Sequence, residues 1–231
     1  METLLALAGV VFYFGVRGVT EGRFDVAREN AERVIAIERL FGLFREAELQ
    51  RELASGDTMI ALVNWVYIWG HWPAIFVVAF WLVLTQPSHY RLIRNGFVIS
   101  GAIGLVIFVA FPVAPPRLLD LGIADTVTDR SQAYRWLQPP GFVNQYAAMP
   151  SLHFGWDLLI GVALCAYGGH VVLRALGFLL PAAMFAAVVL TGNHFILDAV
   201  AGGALALVGL AGALVLSTGV RRSRQDTAGV P

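Results

Sequence analysis

Apolar runs of membrane-crossing length, separated by short polar breaks, set the pattern of the chain. The first runs over residues 4–19. Residues 23–52 then turn charged, with Val34, Ile37, Phe41 and Phe44 recurring at helical spacing among mixed Glu and Arg. That spacing predicts a helix lying in the membrane interface or packed on a bundle. Residues 59–84 form the next run, interrupted by His71-Trp72-Pro73, and residues 97–111 form another. A long segment rich in Pro, Gly and polar groups, 112–149, precedes three further runs at 152–167, 171–190 and 195–216. The pattern predicts an all-α fold, a polytopic membrane helix bundle of about six transmembrane helices with an N-terminal interfacial helix. Three stretches follow from it: 1–56, the first transmembrane helix and amphipathic segment; 57–220, a transmembrane catalytic core; and 221–231, a basic cytoplasmic tail. The first run lacks a basic start, Glu2 being the only charge before it, and no small-residue cleavage site follows, so it reads as a retained helix.

Composition supports the bilayer. Apolar residues make up 58% of the chain and charged residues 14%, more apolar surface than a soluble fold of 231 residues can bury. The formal charge is zero, which leaves no basic field for nucleic acid. No Lys occurs, so every cation is Arg or His. Cys165 is the single cysteine and lies in an apolar run, with no partner for a disulfide or a thiolate metal site. Arg91 and Arg94, then Arg174, then Arg221, Arg222 and Arg224 mark three short cytoplasmic segments. The 112–149 loop and the turn at Gly192-Asn193-His194 then share the extracytoplasmic side, with a plasma-membrane location expected. The seven Arg from Arg17 to Arg51 fall on that same side, accompanied by as many acids.

The chemistry concentrates in a few polar residues. His89 and His170 sit beside Arg in loops and read as solvated. His71 lies inside an apolar run, where a polar group is costly; it either lines a site or makes a structural hydrogen bond, with Tyr67 one turn earlier as a candidate partner. His153 and His194 each start a helix after an outward loop, and each is followed four residues later by a carboxylate, Asp157 and Asp198. A carboxylate one turn on can accept the ring N–H, fix the tautomer and raise the basicity of the other nitrogen. Arg117 follows Pro115-Pro116 at the end of a span, and a guanidinium holds phosphate in a bidentate fork. The other reading of Arg117 is a headgroup anchor or a loop salt bridge. Ser151 opens a helix whose free N–H groups suit an anion. Two His, an Arg, a Ser and a helix N-terminus fit phosphoryl transfer without a metal or other cofactor. The same His153, Asp157, His194 and Asp198 are also types that bind zinc, so a metal-dependent hydrolase stays open.

Pro150-Ser151-Leu152-His153 and Gly192-Asn193-His194-Phe195-Ile196-Leu197-Asp198 resemble the type 2 phosphatidic acid phosphatase superfamily. With Met149 and the Pro115-Pro116-Arg117 element, they are most similar to its inositol phosphorylceramide synthase-like, inositolphosphotransferase branch. The resemblance implies a lipid phosphatase or phosphotransferase acting through a phosphohistidine. His194 would be the nucleophile, Asp198 its orienting group and His153 the acid and base. Arg117 and Ser151 would bind the phosphate, and Asn193, Tyr67 and His71 would line the substrate site. The partners implied are a membrane lipid phosphate and water or an alcohol acceptor such as inositol. The family's first motif usually opens with Lys, absent here, and Ala187-Val188 stands where Ser-Arg usually precedes the nucleophile. Arg130 and Arg135 are the loop cations that would replace them. The missing cations also motivate a second reading, a catalytically weak member that binds or moves a lipid or anion.

Overall fold

The computed structural model describes residues 2–54, 56–131 and 143–228, the side chains of 6 and 219–228 excepted. Among them the chain folds into helices: α1 (Glu2–Thr20), α2 (Phe24–Leu40), α3 (Glu46–Leu53), α4 (Asp57–Trp69), α5 (Trp72–Thr85), α6 (Pro87–Ala110), the short α7 (Thr126–Arg130), α8 (Leu152–Tyr167), α9 (Val171–Leu190) and α10 (Ile196–Ala228). Helix starts follow local chemistry. Pro87 opens α6 at a position whose N–H would be unpaired anyway, and the side chains of Asp125, Ser151 and His170 cap α7, α8 and α9.

Four helices are long and apolar enough to cross a membrane: α1, α6, α9 and the Ile196–Thr218 part of α10. Helices α4 and α5, bent by 43° at Gly70-His71, make a fifth as a broken span, and the 16-residue α8 is a shorter apolar helix beside them. These elements are the all-α polytopic bundle the apolar runs predict. The break lies at the interruption visible in the sequence, where Pro73 sits in the first turn of α5.

Polarity is arranged inside-out. Phe76, Val77 and Phe80 on α5, Phe178 and Leu179 on α9 and Val215 on α10 face outward, while Asn64, His71, Ser100, Asp157 and Asp198 are buried. Only a hydrocarbon solvent makes that arrangement favourable. At the centre, α8 packs against α9 and α10, and α10 against α6. The crossing of α8 and α10 is tight because both helices lack a side chain there. A Cβ on Gly202 would stand 2.0 Å from the carbonyl oxygen of Ser151, and one on Gly155 2.4 Å from that of Gly202.

The apolar stripe of the amphipathic segment divides between the core, where Val34 lies, and the outside. Ile37 and Phe41 are exposed, and α2 buries Ala27, Asn30, Ala31, Val34, Ile35 and Glu38. Two polar residues tie the segment to the core. Asn30 Nδ2 donates to the Pro112 carbonyl at 2.9 Å, and Arg23 Nη1 donates to the Val109 carbonyl at 2.8 Å. From α3, Gln50 Nε2 donates to the carbonyls of Ala124 and Leu190, while its Oε1 accepts from Ala124 N–H. The segment thereby clasps the loops at one end of the bundle.

Candidate active site

That end of the bundle gathers three histidines. The His153 and His194 rings lie with centroids 6.1 Å apart, and His71 approaches His153 to 4.5 Å. Tyr67 stacks on the other side of His153 at 4.8 Å and 22°. Four elements contribute: α4 gives Tyr67, the α4–α5 break gives His71, the first turn of α8 gives His153, and the turn before α10 gives His194. Unwinding at Gly70-His71 lets His71 point into the bundle from mid-span.

His194 is held from two directions. Its Nδ1–H donates to the Ala148 carbonyl at 2.7 Å, and Asp198 Oδ2 lies 3.7 Å from the same nitrogen. The i,i+4 carboxylate therefore stands second to a backbone carbonyl as the ring's partner. Asp198 Oδ2 accepts instead from Phe195 N–H at 2.8 Å, and the Asp198 carbonyl accepts from Ser151 N–H at 2.9 Å, which joins α10 to the start of α8. Ala148 is fixed in turn by extended backbone: Val113 N–H donates to Tyr146 and Ala148 N–H to Val113, around a Val113–Ala147 bridge. In the neutral ring, with Nδ1–H committed to a carbonyl, Nε2 of His194 is the nitrogen with the lone pair.

Asp157 does not serve the histidine four residues before it. Its Oδ1 accepts from His71 Nδ1–H at 2.7 Å, with both side chains almost fully buried. The sequence pairing of His71 with Tyr67 is replaced by this one, and Tyr67 and His71 instead flank His153. The reason is helix geometry: His153 turns toward His194, which leaves Asp157, one turn deeper, opposite the α4–α5 break.

Arg117 lies on a single 3-10 turn, Pro116–Leu118, against the turn that carries His194. Its N–H donates to the Gly192 carbonyl at 2.9 Å, and Nε donates to Asp125 Oδ2 at 3.0 Å. Gly192 has φ +72°, and a Cβ there would meet Ile123 at 2.8 Å and Arg117 Cβ at 3.2 Å, so glycine is needed for both conformation and space. The two Nη groups of Arg117 have no protein partner among the described residues. Asn193 is buried, its Nδ2 donating to Thr191 Oγ1 at 2.9 Å. Ser151 is fully buried and its Oγ caps α8 by accepting from Phe154 N–H at 3.4 Å. Arg130 pairs with Asp57 on the surface at 2.6 Å, and Arg135 lies outside the described residues. Among the described residues, no three His, Cys, Asp or Glu side chains are arranged to hold a metal ion.

Residues 32–212, more than three quarters of the chain, match the PAP2 superfamily. The chain belongs to that superfamily. The crystal structure of Aquifex aeolicus LpxE is similar in fold, with a TM-score of 0.55 over 72% of this chain and 93% of that one at 15% identity. No curated protein matches the chain by sequence. Within the PAP2 fold, Ala187 and Val188 are buried in α9. Their carbonyls receive Thr191 Oγ1 at 2.7 Å and His194 N–H at 3.0 Å, so the backbone here shapes the turn that carries His194. Sequence reasoning missed the Ala148 carbonyl, which has no side-chain signal. It also missed Glu38 and Glu46, buried against the start of α10, although Glu38 falls four residues after Val34 on one helical stripe.

Proposed function

We propose that the protein cleaves or transfers the phosphate-bearing headgroup of a membrane lipid, with His194 as nucleophile and His153 as general acid and base. The observation that carries this reading is the convergence of the two imidazoles from separate helices, with His194 Nδ1–H on a carbonyl and Nε2 left with its lone pair. Nε2 attacks phosphorus and forms the P–N bond as the ester P–O bond breaks. Protonated His153 gives its proton to the leaving oxygen. The acceptor oxygen then displaces Nε2, its proton passing to His153. Asp198, 3.7 Å from Nδ1, stabilises the positive ring of the phosphohistidine. Arg117, with free Nη groups beside the turn, holds the non-bridging oxygens, with Asn193 and the buried start of α8 at Ser151 closing that side. His71, oriented by Asp157, and Tyr67 fix the His153 ring between them.

The cation inventory favours a headgroup diester. Among the described residues one guanidinium, that of Arg117, stands beside the His194 turn, which matches the single negative charge of a phosphodiester, whereas a phosphomonoester carries close to two. Transfer of a phosphoinositol headgroup to or from an alcohol fits this better than release of inorganic phosphate. The working face belongs to the extracytoplasmic side by the placement of Arg in the short loops. The deciding experiment is a panel of labelled lipid phosphomonoesters and phosphodiesters, each with and without myo-inositol and with excess chelator. Turnover by wild type, none by His194→Ala and acid-labile label trapped on wild type alone are the expected results. Equal turnover by His194→Ala sinks the mechanism, loss of activity with chelator selects metal-dependent hydrolysis, and inactivity on the whole panel selects a lipid- or anion-binding member.

A further inference from the structure

Two acids of the amphipathic segment, Glu38 on α2 and Glu46 on α3, are 0% and 1% exposed. Both reach the first turn of α10. Glu46 Oε1 accepts from Ile196 N–H at 3.0 Å and Glu38 Oε1 from Leu197 N–H at 2.6 Å. With Asp198 Oδ2 on Phe195 N–H, three consecutive backbone donors each have their own carboxylate, directly after His194. A helix start ordinarily receives one side-chain acceptor and leaves its other donors to water.

The second oxygens of the pair have no donor. Glu38 Oε2 and Glu46 Oε2 are buried and unpartnered, and Glu46 lies within hydrogen-bond reach of Glu38. The charged groups facing Glu38 are Glu46 from α3 and Asp198 from α10. Neither glutamate has an ion-pair partner among the described residues. The nearest arginines in sequence are engaged elsewhere, Arg39 over the Phe44 ring and Arg45 on Glu48. Two ionised carboxylates so placed would repel, and one proton between them turns the contact into an O–H···O bond.

We infer that Glu38 and Glu46 form a one-proton carboxyl pair that clamps the first turn of α10 and thereby holds His194 in register with His153. They are positioning residues, and the inference rests on the proposed role of His194. Burial and the neighbouring Glu46 push the Glu38 carboxyl up to about 8. Above that pH Glu38 loses its proton against Glu46 and Asp198, the clamp loosens, and turnover falls.

The test uses the full chain in lipid nanodiscs. Glu38→Gln keeps an oxygen for Leu197 N–H and offers an amide N–H to Glu46, mimicking the protonated pair at every pH. It is expected to retain kcat at neutral pH and to lose the alkaline limb of the pH profile. Glu38→Ala, which removes the acceptor, is expected to lower kcat about tenfold or more with KM little changed. Infrared spectra read the pair without turnover: a protonated-carboxyl C=O band present at neutral pH, fading as pH passes about 8, and missing in Glu38→Gln. His194→Ala separates the two readings. If it turns over normally, the nucleophile assignment fails, while the infrared band still reports the pair. The inference is overturned if Glu38→Gln and wild type share both the band and the alkaline limb, or if Glu38→Ala keeps wild-type kcat.

Discussion

Adding one methyl group at Gly202 tests directly how α8 and α10 hold the two histidines together. The new Cβ would sit 2.0 Å from Ser151 O, 2.8 Å from its carbon and 3.0 Å from its nitrogen. An ordinary C···O contact is about 3.3 Å, so the helices must separate by roughly 1.3 Å, and the obstacle is backbone that no rotamer change can relieve. Overpacking of this kind costs about 1–3 kcal/mol. The Ser151 N–H to Asp198 carbonyl bond, 2.9 Å long in the same crossing, is stretched with it. Leaving that buried donor unpaired adds about 1–3 kcal/mol, for a total of about 2–6 kcal/mol. The displacement also opens the His153–His194 spacing, and a misplacement near 1 Å lowers a rate by about a hundredfold. Gly202→Ala is therefore expected to melt earlier in detergent and to lose turnover on the lipid substrate found by the panel. Gly212→Ala in the same helix is the control: its Cβ meets only the Ile99 side chain, Cδ1 at 3.4 Å and Cγ2 at 3.8 Å, and alanine gains up to about 1 kcal/mol of helix propensity. A Gly202→Ala protein with wild-type melting and wild-type kcat would refute the close-crossing account.

Three further outcomes are expected. Asp157→Ala leaves the buried His71 N–H without its partner, which costs about 1–3 kcal/mol and lowers the melting temperature, while some turnover survives because His194 is untouched; complete loss of turnover in a folded variant would promote Asp157 to the chemical step. Arg117→Lys cannot both reach Asp125 and present two donors to phosphate, so kcat/KM falls about tenfold or more, and an unchanged value would remove Arg117 from the phosphate site. Glu38 takes up a proton in the folded state that its unfolded counterpart, titrating at 4.5, does not hold. Its stabilisation is complete below 4.5 and is lost as pH rises through about 8, so thermal stability of wild type should decline over that window and that of Glu38→Gln should not; parallel curves would exclude the shifted carboxyl.

Much of this arrangement was legible in the chain itself. Apolar run length locates α1, α6, α9 and α10, and His71-Trp72-Pro73 marks the break between α4 and α5, because hydrocarbon thickness and proline act locally. His153 and His194 stand out as polar residues at the starts of apolar runs. Partners across the bundle were not legible. Spacing pairs Asp157 with His153, but the fold gives it to His71, 86 residues away. Spacing shows the stripe Val34, Ile37, Phe41 and Phe44 but not that Val34 packs while Ile37 and Phe41 stay outside, because in a membrane protein apolar side chains can face lipid and polar ones can face the core. Asn30 and Glu38 are buried for that reason. The Ala148 carbonyl depends on backbone alone and leaves no trace in residue type.

The carboxylates on the first turn of α10 also bear on the order in which the molecule assembles. Glu46 and Ile196 are separated by 150 residues, and Glu38 and Leu197 by 159. Closing loops of that length is entropically expensive and comes after nearer contacts have formed. During synthesis the acceptors Glu38 and Glu46 are made long before the donors Ile196 and Leu197. Chemical competence is thus a late property of the chain, acquired when its two ends meet rather than when its spans insert.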